Sequence, residues 1–343
     1  MSHRSRRTAL AGVLTAFCML VTPVLAGPGA DAATVAIGGS GRTEGAQVTF
    51  PVPGGGPQAI HAYSSLGGDA AYVLDTRTGK YRRVPYVSVQ VSPDGASVAV
   101  EQTDGRIGVV ARTALAGGGA VRWTDLPPGT FTGWSPDGKA LLTTTLDKET
   151  RSFVVHRYDV ATGRLRHTPV NLDCDICTAG WAADSTRYVV RLRGLDPDLP
   201  TGPMRYLNPD GTAGRLAGAE GHIWNATAYS PSRRYAVVEP TRGVGFEGVD
   251  PSLLAEWQRP RILDLATRRT IGSVATSWPV LGWYDERQVV KVAHTSGGST
   301  VLEVTDVCTG RVTRSVPAPG LPPALLQIGS SAGLKGDAAK FGF

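Results

Sequence analysis

The stretch Trp134-Ser135-Pro136-Asp137-Gly138 ends one apolar run and is followed at once by another, Ala140-Leu141-Leu142. The same arrangement occurs upstream as Val91-Ser92-Pro93-Asp94-Gly95. Proline presets φ at the second position of a tight turn, aspartate tolerates the third, and glycine accepts positive φ where the chain leaves. Both stretches therefore predict two antiparallel strands joined by a short turn.

Three weaker copies follow: Trp181-Ala182-Ala183-Asp184, Tyr229-Ser230-Pro231-Ser232 and Trp283-Tyr284-Asp285-Glu286. The first residues of the five copies, beginning with Val91, follow one another at intervals of 43, 47, 48 and 54 residues. A period of this length is typical of β-propeller blades. We expect the large aromatic residues at these positions to pack between neighbouring blades.

A second motif, Asp-x-x-Thr-Gly, recurs at residues 75–79, 159–163 and 306–310, with degenerate copies at 208–211 and 264–268. Aspartate can cap the free N–H groups of a turn while glycine takes the left-handed position, so the motif predicts a hairpin between the two outer strands of a blade. Residues 109–121 supply a sixth, looser hairpin. Six hairpins predict six blades.

These motifs resemble the WD40-like repeats of the TolB-type β-propeller family, and the resemblance covers residues 58–333. It implies an all-β fold, a single propeller of six four-stranded blades, with a seventh blade built on residues 48–52 as the alternative. Residues 325–328 are expected to return as the innermost strand of the first blade. Such closure removes exposed sheet edges.

The two ends of the chain lack the repeat motifs and have other sequence patterns. Residues 1–32 combine Arg4, Arg6 and Arg7 with an apolar stretch and a small-residue exit, which predicts a cleaved signal peptide and therefore a secreted protein. General secretory and twin-arginine export both remain open. Residues 33–57 predict a Gly/Pro-rich flexible lead-in, and 334–343 a C-terminal tail. No later apolar run is long enough to predict stable membrane insertion.

Composition excludes some classes of partner. The formal net charge is +6 over 343 residues, and Arg4, Arg6 and Arg7 contribute part of it. So small an excess predicts no nucleic-acid partner. Cys174 and Cys177 are expected to form a local disulfide in an exported protein, with redox or metal chemistry as the alternatives. No cofactor or metal site is predicted.

Loop lengths predict the working face. In a four-stranded blade the connections between the second and third strands, and between successive blades, share one face, and these are the long, irregular ones here. Binding residues usually lie on such loops. Residues 240–259 form the longest of them, and large aromatic and arginine side chains dominate interface energies. The candidate binding residues are Trp257, Arg259, Trp224, Trp278, His222, Phe246 and Arg242.

The leading interpretation is an exported, non-catalytic propeller, monomeric, that binds a protein or cell-envelope partner through this face; the resemblance implies action through protein contacts. The alternative is a propeller-fold enzyme, a lyase or glycoside-acting protein, with its site at the channel mouth. That alternative requires converging acids, histidines or arginines. The predicted inner strands offer Ser88, Gln90, Thr132, Thr178, Thr227 and Gln327, so no catalytic residue is predicted.

Overall fold

Short antiparallel strands make up nearly all of the chain that the computed structural model describes. The described residues are 49–50, 58–64, 71–75, 78, 80–115, 118–147, 152–170, 176–193, 203–221, 223, 226–239, 259–276, 280–294, 300–317 and 325–330. All of them belong to one compact unit, Thr43–Phe343, and the other unit, Met1–Arg42, contains none of them. The predicted signal peptide and C-terminal tail therefore lie outside the described residues and stay predictions.

The first blade joins the two ends of the described chain. Its strands β2, β3 and β4 are consecutive, while the C-terminal β24 pairs with β2 from Ser64↔Leu325 to Gln58↔Ser330. The predicted closure by the C-terminal strand is confirmed. The two-residue β1, within the predicted lead-in, also pairs with β2 and adds to this blade. The strands are β1 (Thr49–Phe50), β2 (Gln58–Ser64), β3 (Ala71–Asp75), β4 (Lys80–Val84) and β24 (Leu325–Ser330).

The next three blades each consist of four consecutive antiparallel strands. In the second blade a one-turn helix, α1 (Arg112–Leu115), replaces a tight turn, and the buried Arg112 donates from Nε to Gly95 O at 2.6 Å. The strands of the second blade are β5 (Ser88–Val91), β6 (Ser97–Glu101), β7 (Ile107–Ala111) and β8 (Arg122–Trp123). Those of the third blade are β9 (Thr130–Trp134), β10 (Ala140–Asp147), β11 (Ser152–Asp159) and β12 (Leu165–Pro169). Those of the fourth blade are β13 (Ile176–Trp181), β14 (Tyr188–Arg193), β15 (Pro203–Leu207) and β16 (Ala213–Glu220).

The following repeat is incomplete. It forms a three-stranded sheet of β17 (Tyr235–Val238), β18 (Arg261–Asp264) and β19 (Arg269–Ser273). At the position of an innermost strand, Ala226–Ala228 forms a 3-10 turn, and Tyr229 makes a single isolated bridge to Ala236. The last repeat again has four strands and forms the fifth blade: β20 (Val280–Trp283), β21 (Gln288–His294), β22 (Thr300–Asp306) and β23 (Val312–Pro317).

The predicted blade count is therefore wrong. Among the described residues the β-propeller has five four-stranded blades, neither six nor seven, and the predicted hairpin at 264–268 lies in the three-stranded sheet. The physical reason is the lost inner strand, because a 3-10 turn cannot supply the extended ladder that β17 needs on its inner side. β24 contacts both β20 and β5, so the inner segments still form a closed ring.

The repeat turns form as predicted. The amide of Gly138 donates to Ser135 O at 2.8 Å, and Ser135 Oγ accepts from the amide of Ala140 at 3.0 Å. Gly138 has φ +71°, the left-handed region that favours glycine. In the eroded copies Ser185 and Arg233 keep this conformation at φ 60° and 61° without glycine. Tertiary contacts thus hold the turn where its own sequence no longer favours it.

In the described part of the chain, the core is formed by apolar clusters that lie between neighbouring sheets. The cluster between the third and fourth blades, for example, contains Leu142 and Phe153 from one side and Trp181 and Tyr188 from the other. Because each sheet is covered on both faces, a middle strand such as β6 buries successive residues instead of alternate ones. In the described part of the chain no helix is long and apolar enough to cross a bilayer.

Candidate partner-binding face

The longest loop of the predicted working face starts and ends on rigid strands. Val238 of β17 pairs with Arg261 of β18, so the chain leaves and returns at neighbouring positions. Residues 240–258 lie outside the described residues. We call their two attachment points, Glu239 on the outgoing side and Pro260 on the returning side, the loop root.

The outgoing side of the loop root is a buried carboxylate. Glu239 is only 8% exposed, and its Oε1 accepts the amide of Val280 at 3.0 Å. Val280 is the first residue of β20, so this bond joins the three-stranded sheet to the fifth blade. A buried carboxylate is stabilised when it accepts such hydrogen bonds. Gly221, at φ +124°, lets the backbone at Glu239 approach closely, because a Cβ there would collide with Glu239 O.

A buried ammonium group lies beside the loop root. Lys291 in β21 is 9% exposed, donates from Nζ to Ala275 O at 2.8 Å, and lies 3.3 Å from Glu303 Oε2. Val280 and Lys291 are directly paired, so Glu239 and Lys291 both act on the start of the fifth blade. The ammonium group of Lys291 thus has both a carbonyl and a half-buried carboxylate as partners at this junction.

The returning side of the loop root is also fixed. Pro260 is buried, and its carbonyl accepts the amide of Val274 at 2.8 Å. Arg259, immediately before it, is exposed. The backbone on both sides of residues 240–258 is therefore held by buried groups, while the first described side chain of the returning chain faces solvent.

Sequence reasoning missed Glu239 and Lys291. One signal was available: Glu239 follows the apolar strand Tyr235–Val238, and Glu101 occupies the same position at the end of β6 in the second blade. Burial raises the pKa of the Glu101 carboxyl above its ordinary value. An acidic residue that directly follows an apolar run at the same place in two repeats indicates a carboxyl group at the end of the strand in both repeats.

The inner ring that supports this face is cross-linked by side chains. Indole Nε1 atoms donate to backbone carbonyls of the preceding repeat: Trp134 to Gln90 at 2.9 Å, Trp181 to Gly133 at 3.1 Å and Trp283 to Ala228 at 2.8 Å. The hydroxyl of Tyr229 donates likewise to Trp181 O at 2.5 Å. The prediction that these aromatic residues pack between blades is confirmed.

Two of the inner-strand hydroxyls proposed for the channel also bind backbone. Thr132 Oγ1 donates to Ala179 O and Thr227 Oγ1 to Leu281 O, both at 3.0 Å, and each bond reaches the next repeat. Gln90 lies against Gly133 so closely that a Cβ there would overlap its Oε1. These groups therefore stabilise the ring.

The opposite face consists of turns that contact one another. The amide of Asp137 donates to Ser185 Oγ at 3.0 Å, and the Arg233 guanidinium donates to Pro136 O at 3.3 Å and Ala183 O at 3.5 Å. Arg233 thereby connects three successive repeats. The prediction that this face is structural agrees with these contacts.

A histidine pair lies on the third blade. His156 Nε2 is 2.8 Å from Thr145 Oγ1, and its Nδ1 is 2.6 Å from Nδ1 of His167 on the neighbouring strand. Burial, reinforced by His167, lowers the pKa of His156 from 6.5 to about 4. His156 is buried and His167 is exposed, so the pair is part of the outer wall of the blade.

Of the predicted binding residues, only Arg259 is described, and it is exposed at the loop root. The other members of that set lie outside the described residues, and whether they come together stays a prediction: Trp257, Trp224, Trp278, His222, Phe246 and Arg242.

The predicted disulfide also stays open. Cys174 lies outside the described residues, and Cys177 is placed in β13 opposite Leu192. Cys308 is exposed and unbonded, in the turn between β22 and β23. No group of three or more potential metal-ligating side chains occurs among the residues that the structure describes.

Comparisons with known proteins give a fold likeness only. No protein-family model matches the chain. No curated protein matches it. Among solved structures, the β-propeller domain of the Trilobed protease from Pyrococcus furiosus has a TM-score of 0.47 at 12% identity, covering 80% of this chain and 85% of that one. A chain of a mitotic checkpoint complex has a TM-score of 0.44 at 12% identity, covering 87% and 89%. The Cps50 (Swd1) β-propeller domain of Myceliophteria thermophila has 0.34 at 15%, covering 70% and 68%. At such values the propeller assignment depends on the strand pairing described above.

Proposed function

We propose that this protein is an exported binding propeller that holds a protein partner on the face where residues 240–258 are attached. The observation that carries the proposal is the loop root, where Glu239, only 8% exposed, accepts the amide of Val280 at 3.0 Å. Two strands that pair at Val238 and Arg261 need only a two-residue turn. The chain instead inserts a long segment and fixes both of its ends.

Rigid attachment favours recognition by a loop. Fixing a loop in one conformation on binding costs conformational entropy, and a loop whose two ends are already held has less of that entropy to lose. The segment carries Arg242, Phe246 and Trp257, with Arg259 exposed beside it. Arginine and aromatic residues are the side chains that most often dominate interface energies. The proposed partner surface therefore has its centre on this segment.

The test replaces residues 240–259 by Asn-Gly, which suits a tight turn between β17 and β18. The matched control replaces residues 148–151, on the same face of the third blade, where Asp147 pairs with Ser152. Both proteins, carrying a photo-crosslinking group on the same face, are incubated with the native extracellular and cell-envelope fractions. We expect both variants to keep the thermal unfolding midpoint and only the first to lose its crosslinked partner. Undiminished crosslinking by the first variant would disprove the assignment.

A finer test uses side chains. Trp257→Ala combined with Arg259→Ala is expected to leave folding unchanged and to weaken partner capture by about 2 kcal/mol or more, as for an interface hot spot. Loss of thermal stability with normal capture would instead make these side chains structural. Export is tested separately, because N-terminal sequencing of the protein recovered outside the cell should begin after Ala32 or Ala26.

A further inference from the structure

The outer edge of the fifth blade differs from those of the first and third blades. From Cys308 to Ser315 every residue is exposed, a stretch that covers the turn before β23 and most of β23 itself. The edge strand of the first blade, in contrast, buries Tyr81 and Val84, and that of the third buries Thr168. β23 therefore contributes almost nothing to the core between neighbouring sheets.

This edge also carries an exposed apolar side chain. Val312 is 40% exposed and Ile271 of β19 is 43% exposed, and they are the exposed large hydrophobic side chains among the described residues. The edge at Ile271 is partly covered, because a Cβ on the neighbouring Gly272 would meet Val307 O of the fifth blade. Val312 lies on the more open edge. It pairs with Thr305, whereas Arg314 pairs with Val304, so the irregularity at Thr313 places Arg314 and the half-buried Val316 on the side of β23 opposite to Val312.

The charge of the edge is positive. Arg311 and Arg314 are exposed and the residues 308–317 contain no acid. The two nearest acids on β22 are already used: Glu303 faces Lys291 at 3.3 Å, and Asp306 caps the turn at the amides of Cys308 and Thr309, both at 2.9 Å. Within the part of the chain that the structure describes, neither Arg311 nor Arg314 forms a salt bridge, so an approaching chain meets two exposed arginine side chains.

We propose that β23 is a second binding edge, on which an extended acidic peptide segment of a partner protein adds as a further antiparallel or parallel strand. An edge strand presents N–H and C=O groups that a peptide can pair and a nucleic acid cannot. Carboxylates on the peptide pair with the planar forks of Arg311 and Arg314. A branched apolar residue covers Val312.

Charge also excludes the simplest other occupant. Two copies of this chain joined through β23 would place Arg311 and Arg314 beside the same residues of the partner copy, and like charges directly opposite destabilise a strand pair. Arginine on an exposed edge also hinders uncontrolled self-pairing. An acidic strand satisfies both the backbone and the charges. This surface does not depend on the loop face proposed above.

The test uses three fluorescein-labelled peptides of one length. The first alternates valine and glutamate, the second has the same sequence with N-methyl groups on alternate amides, and the third has glutamine in place of glutamate. Fluorescence anisotropy is measured at 0.15 M salt with the unchanged protein, with Arg311→Glu/Arg314→Glu, and with the control Arg164→Glu/Arg166→Glu, whose residues are exposed at the edge of the third blade. Thermal unfolding confirms that both variants fold.

We expect saturable binding of the first peptide only, at least tenfold weaker in the Arg311→Glu/Arg314→Glu variant and within twofold of the original in the control. Equal binding of the N-methylated peptide would mean attraction without strand addition and would overturn the proposal. So would absence of binding, or equal loss in the control variant. A single-stranded oligonucleotide that displaces the peptide through Arg311 and Arg314 with higher affinity would make the edge a nucleic-acid surface instead.

Discussion

The indole Nε1 of Trp181 donates a hydrogen bond to the carbonyl oxygen of Gly133, 3.1 Å away in the preceding blade. Trp181 is 1% exposed, so this bond lies within the interface between two blades. Trp134 and Trp283 repeat the arrangement at their own junctions. At these three junctions, the residue that opens the repeat turn therefore also joins its repeat to the one before it.

Trp181→Phe should lower the free energy of unfolding by about 2–4 kcal/mol, because it leaves a buried carbonyl without its donor and removes part of a buried ring. Urea unfolding followed by circular dichroism measures the change. The slope with denaturant should stay constant, since the surface exposed on unfolding is nearly the same.

The matched control is Trp123→Phe. Trp123 is only half-buried in β8, where its ring lies 5.1 Å beneath the Arg106 guanidinium. Because phenylalanine keeps a smaller aromatic ring under Arg106, the contact should only weaken, at a cost of at most about 0.5–1 kcal/mol. If both substitutions lower the free energy of unfolding equally, the hydrogen bond between Trp181 and Gly133 does not stabilise the ring more than a surface contact does.

Replacing Arg268 by glycine should stabilise the protein. It lies at φ 60° in the turn between β18 and β19, where other repeats have glycine. Arg268→Gly should raise the free energy of unfolding by up to about 1 kcal/mol, because the left-handed conformation is strained for a residue with a Cβ atom and is not strained for glycine. Gly310 gives the reverse test: it has φ +69° and open space around its Cα, so Gly310→Ala should destabilise through backbone strain alone. Thermal unfolding that moves both midpoints in one direction would contradict this account.

The repeats could be predicted because their turns carry their own chemistry. Ser92, Asp94 and Gly95 satisfy the amides of one turn locally, so the sequence contains nearly all the information needed. The incomplete repeat could not be predicted in this way. Tyr229 and Tyr235 keep the pattern of a blade, yet an innermost strand is paired on one side only and depends on contacts to other repeats.

The loop root lay beyond sequence reasoning for a related reason. Glu239 binds the amide of Val280, and 41 positions separate them in the chain. A local pattern marks Glu239 as an acid after an apolar strand but cannot name its partner. The predicted loop residues, in contrast, were chosen by residue type on long connections, and of these the structure describes only Arg259.

Acidification should destabilise the protein through His156. Its pKa in the folded protein is about 4, below the ordinary 6.5, because of burial and the neighbouring His167. Between pH 6.5 and 4 the unfolded chain therefore binds a proton that the folded chain does not. The contribution of His156 to stability is complete above pH 6.5 and is lost as the pH falls towards 4.

The measurement is the urea midpoint at half-unit steps from pH 7.5 to 4. His156→Gln should flatten the fall across this window, while carboxylates account for what remains at its acid end. His167→Gln should leave most of the fall in place, since burial is the larger cause of the lowered pKa. An identical pH profile for the unchanged protein and His156→Gln would rule out this origin.

Peptide mapping without reduction tests the cysteines. We expect Cys174 and Cys177 to be linked to each other, because an exported protein meets an oxidising compartment and two intervening residues permit a small loop. Cys308, exposed and unbonded, should react with iodoacetamide in the native protein. A link between Cys308 and either of the others would refute the pairing.

Removing the C-terminal strand should open the ring. β24 supplies the inner neighbour of β2 through pairs from Leu325↔Ser64 to Ser330↔Gln58, and it also contacts β5 and β20. Truncation after residue 324 would expose the edge of β2 and remove the bridge between the first and last blades, so the protein should aggregate or lose its cooperative unfolding transition.

The control ends at residue 333 and keeps all of β24, and its unfolding midpoint should equal that of the full chain. Calorimetry and light scattering on the two purified proteins separate the outcomes. Equal midpoints for both truncations would mean that the ring does not need β24 to close.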